Sequence, residues 1–240
     1  MTVTGGDILD VPSSTVADTV LQRLTATYGA AADPEQAVRM CAYMKDVAPF
    51  LGLTTPVRRA LSRTVLEGLP RPDERDCTAI ALRCRQLPER EYHYFAVDHL
   101  RRHARACSSG FLPVARHLVA TLSWWDTVDA LAAHVVGALV AADPALRADM
   151  DAWIVDEDLW VARTALLHQL RYKEHTDTER LFSYCLRQSG HPDFFIRKAI
   201  GWSLREYAKT DPEAVRTFLA RERGRFAPLS VREALKNIAA

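Results

Sequence analysis

The chain has 240 residues, 48% hydrophobic and 25% charged, which describes a globular protein with one sizeable core or one repeat array. A net charge of +1 excludes a blanket polycation, and the longest uncharged apolar run, residues 131–142, is too short to cross a bilayer. Five cysteines (Cys41, Cys77, Cys84, Cys107, Cys185) without CxxC or framework spacing, and no basic-then-apolar leader, predict reduced thiols, no secretory signal and a cytoplasmic protein without a membrane partner.

Residues 1–14 read as a flexible lead-in, and residues 15–240 as one domain of helices. Val16, Val20, Leu21 and Leu24 begin a helix that Gly29 ends, and Pro34 opens a second through Val38, Cys41 and Tyr43. After the connector Phe50–Pro56, Thr55 is the expected N-cap of a helix with Val57, Ala60, Leu61 and Val65 inward and Arg58 and Arg59 on the other side. Further breaks at Pro70, Ser108, Asp143, His175 and Asp211 give steps of 38, 35, 32 and 36 residues. Helix pairs at that period predict an all-α fold of HEAT-like repeats forming a curved α-solenoid, whose concave wall is an extended binding surface.

Charge is uneven along this array. Residues 1–50 hold three Lys or Arg against six Asp or Glu, residues 51–162 hold 13 against 15, and residues 163–240 hold 15 against nine. The positive field therefore belongs to the last third, as expected of a chain that meets a polyanion there.

Three stretches carry chemistry. In Ser123-Trp124-Trp125-Asp126-Thr127-Val128-Asp129, a helix starting at Ser123 puts Trp124, Val128, Leu131 and Val135 on the core stripe and Trp125 beside Asp129 on another. Ser123 and Asp126 fit a capping box, a local task usually worth about 1 kcal/mol, which leaves Asp129 without one. A lone Asp there is most simply a solvated surface residue; an exposed indole beside it also makes a cradle for a flat, cationic ligand. Trp160 and Arg163 share a helix face one repeat later. From Phe194 to Lys209, Ile196, Ala199, Ile200 and Leu204 form a core stripe, while Phe195, Lys198, Trp202, Arg205 and Lys209 form a second stripe of rings and cations. That second stripe suits base stacking with phosphate neutralisation, or packing of Trp202 against the next repeat with cations at its edge.

Ser123–Asp129, Leu159–Arg163 and Arg197–Lys209, with Tyr43-Met44-Lys45 and Pro49–Gly52, resemble the motifs of the AlkD family of HEAT-like-repeat DNA glycosylases for alkylated purines. The resemblance runs in order from about residue 35 to the C-terminus. It implies a metal- and cofactor-free hydrolase that cleaves the N-glycosidic bond of cationic N3- or N7-alkylpurines in double-stranded DNA, acting as a monomer associated with the nucleoid. Asp129, Trp125 and Trp202 correspond to the catalytic cleft, and Arg163, Lys198, Arg205, Arg197, Lys173 and Lys45 are the expected DNA contacts. The helix of Asp129 has no lysine for a Schiff base, which predicts a glycosylase without lyase activity. Asp46-Val47-Ala48 is smaller and less polar than the family's usual set at that point. It points to a larger adduct, as in relatives that resemble self-resistance enzymes of producers of DNA-alkylating antibiotics.

Two rival readings remain open at this level. A non-catalytic HEAT-like scaffold binding DNA or protein would use the same helices. His99, His103 and Cys107, at steps of four, would share a helix face that a zinc ion needs, but no carboxylate or second ligand cluster accompanies them.

Overall fold

The computed structural model describes residues 10–236, all of whose regular structure is helical. The helices fall into two compact units, Met1–Leu122 and Ser123–Ala240. The first holds α1 (Thr15–Ala30), α2 (Pro34–Tyr43), α3 (Thr55–Leu66), α4 (Glu74–Gln86), α5 (Arg90–His103) and α6 (Leu112–Ala120). The second holds α7 (Trp125–Ala142), α8 (Arg147–Trp153), α9 (Leu159–Leu167), α10 (Thr178–Arg187), α11 (Phe194–Tyr207), α12 (Pro212–Glu222) and α13 (Pro228–Ala234). Every break predicted between helix pairs lies in a connector of this all-α, HEAT-like array.

Capping residues explain most of the helix starts. Ser14, Asp33, Asp73, Asp158, Asp177, Asp193 and Asp211 each accept a backbone N–H of the first turn, and Asp73 with Asp76 closes a reciprocal capping box. Of the lead-in, residues 1–9 lie outside the described residues. Ser13 and Ser14 are tied to α4, where Ser13 Oγ accepts from Arg75 at 2.6 Å and Ser14 Oγ donates to Asp76 at 2.6 Å.

In the first unit, α1 packs on α3 and α4 around Val20, Leu24, Tyr28, Val65, Ile80 and Phe95. The α3 reading needs two corrections. Thr54, not Thr55, is the N-cap, and the helix turns Arg58 inward while Val57 and Ala60 stay exposed. Arg58 is welcome there because Asp98 of α5 pairs with it at 2.8 Å and the Tyr94 ring lies 5.2 Å from its guanidinium.

Between α2 and α3 the connector needs glycine. Gly52 has φ +91°, and a Cβ there would lie 2.0 Å from the Asp33 carbonyl oxygen. Its neighbours hang on one buried carboxylate: the backbone N–H groups of Leu51, Gly52 and Leu53 donate to Glu91 at 3.0, 2.8 and 3.0 Å. The Pro49–Gly52 motif is thus a loop folded onto an acid of α5.

The second unit is built on α7, α9, α11 and α13, whose core includes Val128, Leu131, Val135, Leu166, Ile196, Ile200 and Leu204. Eighteen residues at mean hydropathy 1.3 make α7 long and apolar enough for a membrane span by length and composition alone. Burial of Val128, Leu131, Val135, Val136, Leu139 and Val140 accounts for that apolarity. Residues Ala132–Val136 form a π-helical turn, a one-residue widening of the ladder that often sits beside functional side chains. Gly201 lets α13 approach α11, since a Cβ there would meet the Glu233 Cβ at 2.5 Å and the Ser230 carbonyl oxygen at 2.8 Å. Ser230 Oγ then donates to the Arg197 carbonyl at 2.9 Å.

Replacing Glu91 by Ala strands three buried or part-buried N–H donors. We expect a loss of about 3 kcal/mol, read as a lower urea midpoint with little change in slope. An unchanged midpoint would show that the connector finds other acceptors.

Candidate active site

Trp124, not Ser123, is the N-cap of α7, in extended conformation and without a side-chain cap bond. The helix thus starts one residue later than the Ser123 capping pattern places it. Asp126 instead accepts from the Thr127 N–H at 2.9 Å. Starting at Trp125, α7 still sets Trp125 and Asp129 one turn apart on the same face.

These two side chains open into a cleft of about 390 Å³, whose other lining residues include Arg163, Phe194, Trp202 and Glu233. The Trp125 indole is 36% exposed and the Phe194 ring 55% exposed, while Trp202 is half-buried. Phe195, also in the lining, forms an aromatic cluster with Trp124 and Trp160, with centroids 5.0 to 5.7 Å apart. Such edge-to-face and tilted pairs fix ring orientation by about 0.5–1.5 kcal/mol each beyond their buried area. Phe195, read from the sequence as part of the ligand-facing stripe, thus also anchors α11 to α7 and α9.

Asp129 is held rather than free. Arg163 Nε and one Nη donate to its two oxygens at 2.7 and 2.8 Å, and the remaining Nη donates to the Phe195 carbonyl. All three guanidinium nitrogens are committed, and Arg163 is 4% exposed. Burial pushes the Asp129 carboxyl above the usual carboxylate range, against the pull of the Arg163 hydrogen bonds and charge. The carboxylate still borders the cleft.

Lys198 and Arg205 of α11 also line the cleft, and both are pinned by Glu233 of α13 at 3.0 Å each. That pairing holds the Glu233 carboxyl below its ordinary range, with the Lys198 hydrogen bond the largest cause. The cleft therefore presents rings, three paired cations and two carboxylates. The other expected DNA contacts lie elsewhere. Arg197 Nε donates to the His191 carbonyl at 2.9 Å, outside the cleft lining. Lys173, exposed with φ +52°, follows α9 and lines a different hollow. Lys45 is exposed with φ +61° in the first unit.

Sequence reasoning did not single out Phe194 and Glu233. Phe194 was hidden beside the patterned Phe195; Glu233, the only acid after Glu222, stands out only once its helix is known to reach α11. The zinc idea has no support in the geometry. Cys107 hydrogen-bonds the Cys77 thiol, and no group of three or more candidate ligands exists among the described residues.

An acid clamped by an arginine thus shares one cleft with two indoles on a HEAT-like helical scaffold. The profile of the DNA alkylation repair enzyme family matches residues 24–238, and the chain belongs to that family. It is similar to the solved structure of a predicted DNA alkylation repair enzyme from Enterococcus faecalis, at 33% identity and TM-score 0.78 over 87% of this chain and 97% of the other. No curated protein matches it.

The buried pair makes a stability prediction. Arg163→Met leaves the Asp129 carboxylate without its partner and should cost about 3–5 kcal/mol. The double variant Arg163→Met/Asp129→Asn should recover much of that loss. Thermal and urea unfolding of the singles and the double check it, and additive losses would show that the two side chains do not act as one unit.

Proposed function

We propose that the protein is a monofunctional DNA glycosylase that hydrolyses the N-glycosidic bond of cationic N3- or N7-alkylpurines in duplex DNA. The observation that carries this reading is the Asp129 carboxylate, fixed bidentately by Arg163 at the edge of a cleft lined by Trp125 and Trp202.

An alkylpurine of this kind carries a positive charge, so the bond breaks without a general acid: the base takes the bonding pair and leaves neutral. Positive charge then develops on the deoxyribose, and water adds at C1′ and gives up a proton. Trp125 and Trp202 hold the sugar and base by face contact, worth about 1–3 kcal/mol per base. Asp129 stabilises the developing cation and orients the water. A carboxylate about 4 Å from a cation contributes up to about 4 kcal/mol at an effective dielectric near 20. Arg163 takes up part of that field, so its main service is to fix the carboxylate in one orientation without spending reorganisation at the moment of reaction.

The lysine nearest this chemistry, Lys198, is engaged by Glu233 at 3.0 Å and is not poised as a nucleophile. Its engagement favours hydrolysis over strand cleavage. The open, ring-walled cleft and the small residues Asp46-Val47-Ala48 favour bulky minor- or major-groove adducts of a DNA-alkylating natural product as substrates beside methyl lesions. That would make the protein a self-resistance enzyme acting on chromosomal DNA in the cytoplasm.

Single-turnover release of 3-methyladenine, 7-methylguanine and a bulky N3 adduct from duplex DNA tests the reading. Asp129→Asn should slow excision by at least about 10², and Trp125→Ala or Trp202→Ala by about tenfold. Because Asp129→Asn strands a buried arginine, each rate is paired with a melting curve. The double variant Asp129→Asn/Arg163→Met should fold better than either single while staying as slow as Asp129→Asn. Wild-type protein that melts cooperatively yet releases no base would instead support a DNA- or protein-binding scaffold.

The same carboxylate sets the pH dependence. Excision should fall as pH drops through the Asp129 pKa, which lies above the usual range of about 4, so the acid limb sits higher than for an exposed Asp. An acid limb that survives unchanged in Asp129→Asn would assign it to another group.

A further inference from the structure

The first unit has its own cavity, of about 450 Å³, between α3 and α5. Arg59 and Arg63 reach it from α3, and Arg101 and Arg102 from the last turn of α5. Among the described residues none of these four has an acidic partner or a hydrogen bond. The one acid in the lining, Asp98, is already paired with Arg58. His99 borders the same cavity at 4% exposure, its ring stacked on Phe95 and tilted against His103, with Nδ1 lacking any hydrogen-bond partner. His99 also lines an adjoining hollow of about 290 Å³ to which Arg71 and Arg102 contribute.

Four like charges converging on one hollow repel each other, and a folded chain that keeps them there without a carboxylate leaves their field for an anion from outside. Guanidinium forks match phosphate oxygens two at a time. A buried imidazole nitrogen without a partner adds a polar atom that a bound oxyanion, or its water, would satisfy. We propose that Arg59, Arg63, Arg101 and Arg102 form a phosphate-binding cradle, separate from the aromatic cleft, that takes the backbone phosphates of duplex DNA. The same chemistry admits a free pyrophosphate. The site lies in a stretch of the chain that is acidic on average, so it is concentrated by folding and not by composition.

For DNA, the inference rests on family membership and not on the glycosylase reading, and its test needs no lesion. Anisotropy of a fluorescein-labelled, undamaged duplex is titrated with the full chain between about 50 and 200 mM salt. Arg101→Gln/Arg102→Gln, and separately Arg59→Gln/Arg63→Gln, should weaken binding about tenfold whatever the duplex sequence. Each should also lower the slope of log affinity against log salt by about 2, one for each lost phosphate contact. Calorimetric titration with sodium pyrophosphate is the second arm. Binding by the wild type that both variants lose, with duplex affinity and slope unchanged, assigns the cradle to free phosphates. Unchanged duplex binding together with no pyrophosphate binding by the wild type overturns the proposal. Since the two pairs sit on different helices, misfolding of one variant leaves the other to decide.

Discussion

One bidentate ion pair, Arg163 to Asp129, organises the C-terminal unit. It ties α9 to α7, and through the Phe195 carbonyl the same guanidinium ties both to the start of α11. Buried pairs seldom add much net stability over an apolar substitute, yet breaking one leaves a charge stranded, so the arrangement is all-or-none. What it supplies is orientation. A carboxylate with two oxygens fixed in a plane cannot swing away from the cleft, and the indoles of Trp125 and Trp202 then have a constant partner.

The second tier is made of rings and salt bridges that protect that orientation. Trp124, Trp160 and Phe195 pack together at the cleft, whose wall Phe195 also lines, and the exposed Phe194 ring sits edge-on against Phe195. On the far wall, Glu233 holds Lys198 and Arg205 together, and the absence of a side chain at Gly201 is what lets α13 deliver that acid. The cleft is therefore less positive than its cations suggest. A polyanion would gain from Lys198 and Arg205 only in competition with Glu233.

Local chemistry and tertiary context disagree at a few instructive positions. The S-x-x-D pattern at Ser123–Asp126 is a sound capping signal, but Trp124 is pulled into the aromatic cluster in an extended conformation and the helix begins after it. On α3, period counting puts Val57 inside and Arg58 outside; Asp98 and Tyr94 reverse this by offering charge and a ring face. In both cases a partner from a distant segment outweighs a local preference worth about 1 kcal/mol.

By itself the sequence determined the helix-pair period, the breaks between pairs, the core stripes of α7 and α11 and the Trp125–Asp129 juxtaposition, because all of these follow from spacing along one helix or from Pro, Gly and capping residues at its ends. The motifs likewise led to the right family. Only the tertiary structure decided what Arg163 does: a solvated arginine and a clamp on Asp129 read alike until α9 is laid against α7. It also decided that Glu233 joins the cleft, that Phe194 lies open, and that arginines from α3 and α5 meet in one cavity. Those are contacts between residues tens of positions apart, and no periodicity within a single helix encodes which distant charge will stand opposite.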